Sequence, residues 1–412
     1  MVETEDTYGI VASARTQLLP TAGVVCPIQY PHMCGAGKCA KSAAGCADET
    51  VFGFRSMPLM APTEMPVFDD VLSEVKIIKV LTDMEKRSAS ISVIAFAEHV
   101  ITKQRVVIKA FFKQKAIQEL DPLQQARMYI LQDSFMKLTY EAKMYKALSE
   151  LGAVPNLVQF IAYQSMPMNK NQFRERRMAE IKSARGLFPF MLALKYLVKD
   201  AFEPVSLHMI VTEYRPQTVP LLAVFESNSM TPDRLRAIMF QIVYTLTVLN
   251  AAGFQHNDLH PGNILVDMAP AEIGIQYEVY GGKFSVPVAG NKVLLFDWDF
   301  GVCPSCGINS FLDRTCASLG ICNHINPKFD LFTIMSMMEV NIKLTAYADY
   351  HKFRKDVLGS TPLVQKHPAR MCNEVVRDGK SMCVPFDANE PHSVMHPRDA
   401  LLHDYFSPFR QG

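Results

Sequence analysis

Hydrophobic and polar residues recur along residues 71–412 with periods that predict strands in some stretches and helices in others. A long apolar run at 237–254, interrupted only by single polar residues, predicts a buried helix, and Thr231 followed by Pro232 is typical of its start. Short apolar runs predict strands at 105–112, 207–212 and 293–296. The mixture of the two patterns predicts an α+β protein.

The spacing of these predicted elements divides the chain into three parts. Residues 1–70 are rich in Gly, Ala, Pro and Cys, show no clear period, and are interpreted as an irregular leader. Residues 71–216 are predicted to form a smaller, β-rich part, and residues 217–412 a larger, helical part. We expect a helical insertion at about 164–207 and a hairpin insertion at about 267–292.

Composition and charge narrow the classes of function. With 412 residues, 49% of them hydrophobic and 20% charged, the chain is long enough to bury a sizeable core. The formal net charge of +1 gives no indication of nucleic-acid binding or of attachment to a membrane surface. Polar residues within 237–254 favour a core helix over a membrane span. The polar amino terminus lacks a secretory signal, so we expect the protein in the cytoplasm.

The most informative motif follows the predicted buried helix at 256–263, where the sequence reads His-Asn-Asp-Leu-His-Pro-Gly-Asn. The motif places Asp258 five positions before Asn263. Phosphoryl transfer from ATP needs such a pair, because a carboxylate accepts the proton of the attacking hydroxyl while an amide oxygen holds magnesium beside it. We therefore predict that Asp258 is a general base and that Asn263 is a magnesium ligand.

A second magnesium ligand is expected at 297–301, where Asp-Trp-Asp-Phe-Gly follows the predicted strand at 293–296. A carboxylate at the end of a strand is well placed to bridge magnesium to the phosphates of ATP. Asp299 begins an Asp-Phe-Gly sequence, whereas Asp297 comes directly after the apolar strand. We predict Asp297 as the ligand, because the alternative would leave its charge inside the strand, where burial without a partner is costly.

The predicted strand at 105–112 carries Lys109 among apolar residues. A lysine in such a strand can neutralise the α- and β-phosphates of ATP when a glutamate on a helix pairs with it. Glu141 is the candidate partner, because the apolar residues that follow it by four and seven positions indicate one face of a helix. The separation of the pair along the chain is longer than usual, and an insertion around Asp121–Pro122 would account for it.

The order of lysine strand, glutamate helix, Asp/Asn loop and metal-aspartate strand resembles the protein-kinase-like fold over about residues 71–406. More narrowly, the chain resembles the serine/threonine-type protein kinases of large nucleocytoplasmic DNA viruses. Three segments carry this resemblance: Gln-His-Asn-Asp-Leu-His-Pro-Gly-Asn-Ile-Leu at 255–265, Asn-Pro-Lys-Phe-Asp-Leu-Phe at 326–332 and Leu-His-Asp-Tyr-Phe at 402–406.

The resemblance implies a bilobal fold, with a small β-rich amino-terminal lobe and a larger helical carboxy-terminal lobe, and an ATP:protein phosphotransferase with a magnesium cofactor. It implies that His256 orients the metal loop, that His260 replaces a cationic lysine near the transferred phosphate, and that Asp330 binds the backbone of the catalytic loop. It also implies a hinge that contacts adenine, formed by Thr212, Glu213 and Tyr214.

The same resemblance bears on partners and location. The implied substrate is a protein hydroxyl, and the implied partners are virion or host proteins rather than nucleic acid or a membrane. The implied location is the cytoplasm of an infected host cell, with packaging in the virion as an alternative.

Several departures keep two other functions open. No Gly-x-Gly-x-x-Gly precedes Lys109, since the expected turn at 85–90 reads Glu-Lys-Arg-Ser-Ala-Ser, and Asn257 stands where an arginine is usual. The His-Pro-Gly-Asn sequence at 260–263, followed by Asp-Trp-Asp, also resembles aminoglycoside and choline phosphotransferases. The alternatives are therefore a small-molecule phosphotransferase and a pseudokinase that serves as a structural virion component.

Cysteines after residue 300 suggest one further hypothesis. The Cys-x-x-Cys spacing at 303–306 is a spacing found in zinc sites, although the cysteines that follow are irregularly spaced. Scattered buried thiols are the competing interpretation, because cytosolic chemistry disfavours disulfides. The candidate ligands of a structural Zn²⁺ are Cys303, Cys306, Cys316 and Cys322.

Overall fold

A computed structural model gives the fold of this chain, and it confirms the expected mixture of helices and antiparallel strands. It describes residues 68, 70–81, 92–116, 119–152, 154–181, 186–197, 202–227, 229–270, 273–279, 281–313, 321–341, 347–359 and 394–411, together with the backbone of short strands at 24–25, 32–34, 38–40, 54–55, 372–377 and 380–385.

The strands and helices are numbered separately in chain order. The strands are β1 (Val24–Val25), β2 (His32–Cys34), β3 (Lys38–Ala40), β4 (Phe54–Arg55), β5 (Val75–Val80), β6 (Val93–His99), β7 (Arg105–Ala116), β8 (Phe160–Pro167), β9 (Phe202–Glu213), β10 (Thr218–Pro220), β11 (Ile264–Asp267), β12 (Gly274–Val279), β13 (Gly282–Pro287), β14 (Lys292–Leu295), β15 (Cys372–Arg377), β16 (Lys380–Pro385) and β17 (Arg410–Gln411). The helices are α1 (Val71–Glu74), α2 (Pro122–Ser149), α3 (Lys170–Ile181), α4 (Leu187–Leu197), α5 (Leu221–Glu226), α6 (Pro232–Ala251), α7 (Phe329–Asn341), α8 (Ala348–Leu358) and α9 (Pro397–Leu401).

The described chain divides into two compact units, and the one formed by Pro62–Lys146 and Val158–Pro216 is the sheet unit. Its five strands are antiparallel in the order β5-β6-β7-β9-β8. In α4 the buried residues recur at helical spacing, and this apolar stripe packs against β5, β6 and β7. The core of the unit therefore lies between α4 and one face of the sheet.

The other unit, the loop unit, comprises Ala147–Leu157 and Gln217–Gly412 with the amino-terminal residues to Ala61. Its central helix α6 begins as predicted, because the Thr231 hydroxyl accepts a hydrogen bond from the Arg234 N–H at 3.2 Å and Pro232 follows the cap. From Ala237 onward every residue of α6 is buried, polar residues included. This helix is therefore surrounded by protein over most of its length.

The polar side chains buried around α6 form hydrogen bonds with one another. The Asn156 amide donates to Gln241 Oε1 and to the Val293 carbonyl, both at 2.9 Å, and Tyr277 donates to Asn156 Oδ1 at 3.1 Å. Gln241 in turn donates to the Asn291 carbonyl at 2.8 Å. Because buried polar groups are costly only when they lack partners, this network fixes α6 against β14.

Two boundaries differ from the expectation. The helical insertion expected at about 164–207 is narrower, because residues 164–167 belong to β8 and 202–207 to β9, where Pro167 pairs with Ser206. The expected hairpin is formed by β12 and β13, which leaves Asp267 in β11 and Lys292 in β14. The strands extend further than their apolar runs because the ladder hydrogen bonds continue past them.

The interpretation of residues 1–70 as irregular is wrong for several short segments. β1 pairs with β4, and β4 pairs with β12, which lies far along the chain. Pairing with a distant strand leaves no local periodic pattern in such short segments, so the sequence gave no signal of it. Among the described helices, none is long and apolar enough to cross a membrane.

We predict that Gly186→Ala destabilises the protein by about 2–4 kcal/mol, whereas Gly281→Ala costs only about 1 kcal/mol. Both glycines have positive φ, +66° and +75° respectively. A Cβ at Gly186 would lie 2.5 Å from the Ile77 carbonyl oxygen, whereas one at Gly281 meets nothing within 4 Å. Urea denaturation of the two variants measures the difference, and equal losses would contradict the close approach to Ile77.

Candidate functional site

In the sheet unit, the structure brings Lys109 and Glu141 together. The Lys109 Nζ donates to Glu141 Oε2 at 2.7 Å. Lys109 lies on β7, between Ile94 of β6 and Ile210 of β9, and its side chain is 20% exposed, whereas that of Glu141 is 2% exposed. A buried carboxylate of this kind needs its cation, since removing either partner would leave an unpaired charge. The pair therefore holds the ammonium group in one place.

The long separation of this pair along the chain has a simple cause. Helix α2 begins at Pro122 and continues to Ser149, so most of the intervening residues are helical. Glu141 falls late in this helix, on the face that carries the buried Tyr145 and Leu148. The expected insertion at Asp121–Pro122 is therefore the start of the long helix α2.

The three residues predicted to contact adenine lie at the end of β9. Thr212 is buried and pairs with Val107 and Phe160, and the Tyr214 ring stacks on Phe96 with 3.8 Å between ring centroids. The Glu213 N–H donates to the Gln159 carbonyl and the Tyr214 N–H to the Arg105 carbonyl, while the Glu213 carboxylate accepts from Arg215. The backbone amides of this segment are therefore already engaged. The turn at 85–90 lies outside the described residues.

In the loop unit, a single carboxylate positions the start of the loop at 256–263. Asp330, fully buried near the start of α7, accepts the His256 N–H at 2.7 Å and the Asn257 N–H at 2.8 Å. The His256 ring donates from Nε2 to the Phe296 carbonyl at 2.9 Å and packs on Trp298, with 4.5 Å between ring centroids. Asp330 thus binds the loop backbone as expected, and His256 links the loop to the segment that follows β14.

The next residues place a carboxylate and an amide side by side. The Asn263 Nδ2 donates to the Asp258 carbonyl at 3.0 Å and to Asp258 Oδ2 at 3.3 Å. Because the amide nitrogen faces Asp258, the Asn263 amide oxygen is directed away from it and can coordinate a cation. His260 Nε2 lies 3.9 Å from Asp258 Oδ2, and its Nδ1 accepts the Gly262 N–H at 3.0 Å.

The two aspartates after β14 have different environments. Asp297 has a φ of +66°, and it follows Phe296, whose N–H donates to the Asn263 carbonyl at 3.3 Å. Since Ile264 pairs with Leu295 in the ladder, Asn263 and Asp297 come to the same edge of the small sheet β10-β11-β14. The Asp299 carbonyl instead accepts from the Asn309 side chain at 3.1 Å.

The pairing also corrects the reason for preferring Asp297. Strand β14 ends at Leu295, so neither aspartate lies within a strand, and the argument from a charge buried in the strand does not hold. The better argument is the ladder, which places Asp297, and not Asp299, beside Asn263.

Burial governs the charge of both loop histidines. Burial lowers the pKa of His256, although the carboxylates of Asp330 and Asp297 oppose this shift. Burial also lowers the pKa of His260, against the opposing effect of Asp297. Both imidazoles are therefore neutral at pH 7, and His260 does not supply the positive charge expected from its replacement of a lysine.

The oxygen donors present fit magnesium. Asn263 and Asp297 offer an amide oxygen and a carboxylate at one sheet edge, and Mg²⁺ accepts one or two such ligands while keeping water and phosphate oxygens as the others. Within the described part of the chain, no group of three or more His, Cys, Asp and Glu side chains is arranged to hold a metal ion. A site built from one amide and one carboxylate is not of that kind.

The structure does not assemble the four-cysteine zinc set within the described residues. Cys303 and Cys306 are free thiols, and Cys316 lies outside the described residues. Cys322 is disulfide-bonded, so its sulfur is not a thiolate that could bind zinc. This disulfide also contradicts the interpretation of all these residues as scattered buried thiols.

Sequence reasoning missed the residues that shape the loop from its sides. Asn257 has a φ of +66°, and its Nδ2 donates to the Phe300 carbonyl at 3.0 Å. Gln255 accepts the Asn326 N–H at 2.6 Å and donates to Asn257 Oδ1 at 2.5 Å. An asparagine at a position where arginine is usual was the available signal, because asparagine tolerates the left-handed conformation.

No protein-family model matches this chain, and no curated protein matches it. The geometry of the two groups of residues is therefore the basis for any functional conclusion.

We predict that Asp330→Asn destabilises the protein by about 2 kcal/mol, because one of the two loop N–H groups would face an NH₂ group instead of an oxygen. Asp313→Asn is the matched control, since the exposed Asp313 accepts a single bond from Asn323 at 2.8 Å and should change stability by less than about 0.5 kcal/mol. Hydrogen exchange should accelerate at the amides of His256 and Asn257 in the first variant alone. Unchanged exchange at both amides would show that Asp330 does not anchor the loop.

Proposed function

We propose that this chain is an ATP-dependent protein kinase that transfers the γ-phosphoryl group to a serine or threonine hydroxyl, and that its two units are the lobes of a protein-kinase-like fold. The observation that carries the proposal is the pairing of Asp258 and Asn263 in one loop, with Asp297 at the same sheet edge as Asn263. Phosphoryl transfer requires positioning and charge stabilisation more than covalent chemistry, so these few groups are sufficient in kind.

The role of Asp258 follows from its surroundings. Its carboxylate is 30% exposed, so a hydroxyl can approach it, while Asn263 holds it in a fixed orientation. In the proposal this carboxylate orients the attacking hydroxyl and accepts its proton. His260, neutral and 3.9 Å from the same oxygen, contributes a polar wall and not a charge.

Asn263 and Asp297 would hold magnesium, which when bound neutralises charge on the phosphate oxygens. Asp297 is held in a left-handed conformation next to the buried Trp298, so its carboxylate has little freedom. In the sheet unit, Lys109 would bind the α- and β-phosphates, and Glu141 would fix the direction of its ammonium group.

Two alternatives remain as competing functions. The His-Pro-Gly-Asn sequence and the uncharged His260 favour a small hydroxylated acceptor such as an aminoglycoside or choline, because both sequences depart from the usual protein-kinase pattern. The absence of a glycine-rich sequence before Lys109 favours a pseudokinase with a structural role in a virion. Relationship to viral kinases, and location in an infected cell or its virions, are proposals that rest on the sequence motifs.

One assay distinguishes the three functions. The purified chain is incubated with magnesium and γ-labelled ATP in the presence of casein, of serine, threonine and tyrosine peptides, and of aminoglycosides and choline. Label on serine or threonine supports the proposal, and label on a small molecule alone supports the first alternative. No transfer to any acceptor, with the protein folded, supports the pseudokinase.

We predict that Asp258→Asn lowers turnover by about 10²–10⁴-fold, because the proton acceptor and its charge are lost together. The fold should be retained, since an asparagine oxygen can still accept the bond from Asn263. Asp233→Asn is the control, because Asp233 is 90% exposed and pairs only with neighbouring positive charge at the start of α6. Turnover of Asp258→Asn close to that of the wild type would defeat the assignment of the general base.

We predict that Asp297→Ala abolishes magnesium-dependent turnover and that Asp299→Ala retains a measurable fraction. The contact of Asp299 with Asn309 is made by the backbone carbonyl, which alanine keeps. Initial rates across a magnesium titration measure both variants. Activity retained in Asp297→Ala and lost in Asp299→Ala would show that the metal carboxylate is Asp299.

A further inference from the structure

We infer that Cys303 and Cys306 form a site of reversible covalent modification, at which a small-molecule disulfide such as oxidised glutathione converts the dithiol into an intrachain disulfide. This inference does not depend on the proposed phosphotransferase activity. It rests on the geometry of one short turn and on the chemistry of the two thiols in it.

The turn brings the two cysteines into one hydrogen-bonded unit. Residues Pro304–Cys306 form a single 3₁₀ turn, in which the Cys306 N–H donates to the Cys303 carbonyl at 2.9 Å. The Cys306 thiol also hydrogen-bonds to the Cys303 sulfur, so the two side chains point towards each other. Both are free thiols. Bond formation between them therefore needs little movement of the backbone.

The surroundings of the turn keep it in place on both sides. Val302 and Gln255 exchange backbone hydrogen bonds at 2.8 and 3.0 Å. After the turn, the Asn309 side chain donates to the carbonyls of Asp299 and Gly301, at 3.1 and 3.2 Å. Because the chain is fixed before and after it, the turn is a preorganised site.

The two thiols differ in access and in reactivity. Cys303 is 1% exposed, whereas Cys306 is partly exposed. The hydrogen bond from Cys306 is the largest effect on the Cys303 thiol, and a further bond from the Ser305 hydroxyl at 2.8 Å acts in the same direction; together they lower its pKa to about 7 against the opposing effect of burial. Cys303 therefore carries a substantial thiolate fraction near neutral pH.

These differences assign an order to the reaction. The Cys306 thiolate attacks one sulfur of the small disulfide, forming a mixed disulfide and releasing one small thiolate, which takes up the proton that Cys306 has lost. The Cys303 thiolate then attacks the Cys306 sulfur, forming the intrachain bond and releasing the second small thiolate. The two cysteines lose two electrons, and the small disulfide gains them as two thiols.

The chain offers a convenient peptide for the test. Trypsin cleaves after Lys292 and Arg314, and the peptide 293–314 contains no cysteines besides Cys303 and Cys306. The purified full-length chain is equilibrated with graded ratios of reduced to oxidised glutathione, quenched with acid, alkylated and digested. In the oxidised buffers the peptide should lose both alkyl groups and be about 2 Da lighter than the free dithiol, and reduced glutathione should restore it.

Two variants separate the roles of the thiols. Cys303→Ser should accumulate a glutathione adduct on Cys306 at least about ten times above the wild type, because the resolving thiolate is missing. Cys306→Ser, a change at a partly exposed position, should leave Cys303 without an adduct, because Cys303 is buried. An adduct on Cys303 in folded Cys306→Ser would overturn the order of attack and with it the inference.

Ser305→Ala tests the electrostatic part without removing a thiol. The pH midpoint for closure of the mixed disulfide should lie near 7 in the wild type and higher in this variant, since one donor to the Cys303 thiolate is lost. Three results would overturn the inference: a peptide doubly alkylated at every glutathione ratio, a disulfide from it to another peptide, or a bound zinc ion that protects both thiols and is released by Cys306→Ser. None of these results depends on whether the chain phosphorylates anything.

Discussion

The Asp330 carboxylate is the interaction on which the candidate chemistry depends, because its two oxygens fix two consecutive backbone amides of the loop at 256–263. The residue is fully buried, and burial raises its pKa while the two amide donors oppose that shift. Both oxygens act as acceptors here, so the ionised form fits the geometry. With its first residues held in this way, the loop can place Asp258 and Asn263 in a single arrangement.

Around this anchor, strain in the backbone is confined to residues that tolerate it. Asn257 and Asp297 both have a φ of +66°, and each lies beside one of the two parts of the site, the loop and the segment after β14. Such conformations cost of order 1–3 kcal/mol and persist only where the surroundings enforce them. Here His256 supplies the enforcement, since it bonds to the Phe296 carbonyl and packs on Trp298.

The ion pair of Lys109 and Glu141 plays the corresponding part in the sheet unit. Its stabilising effect on the fold is small or absent, because desolvation of the two charges offsets their attraction. What the pair does provide is a lysine whose ammonium group has a fixed position on a central strand. A positioned cation is what phosphate binding requires, and this is why the pair is better explained by function than by stability.

The sequence by itself determined the elements whose signals are local. The cap and apolar run of α6, the lysine strand, and the Asp/Asn spacing of the loop could all be read from neighbouring residues, because helix caps, strand patterns and turn residues act over a few positions. The pairing of Lys109 with Glu141 was also predictable, since few charged residues fall on apolar strands and helix faces.

Tertiary structure alone decided the rest. The pairing of β4 with β12 joins segments far apart in the chain, and no local pattern encodes such a contact. The preference for Asp297 over Asp299 follows from the ladder of β11 and β14 and not from the sequence argument about burial. The charge of His260 and the acidity of Cys303 are likewise set by burial and hydrogen bonds, which depend on what the fold packs around each side chain.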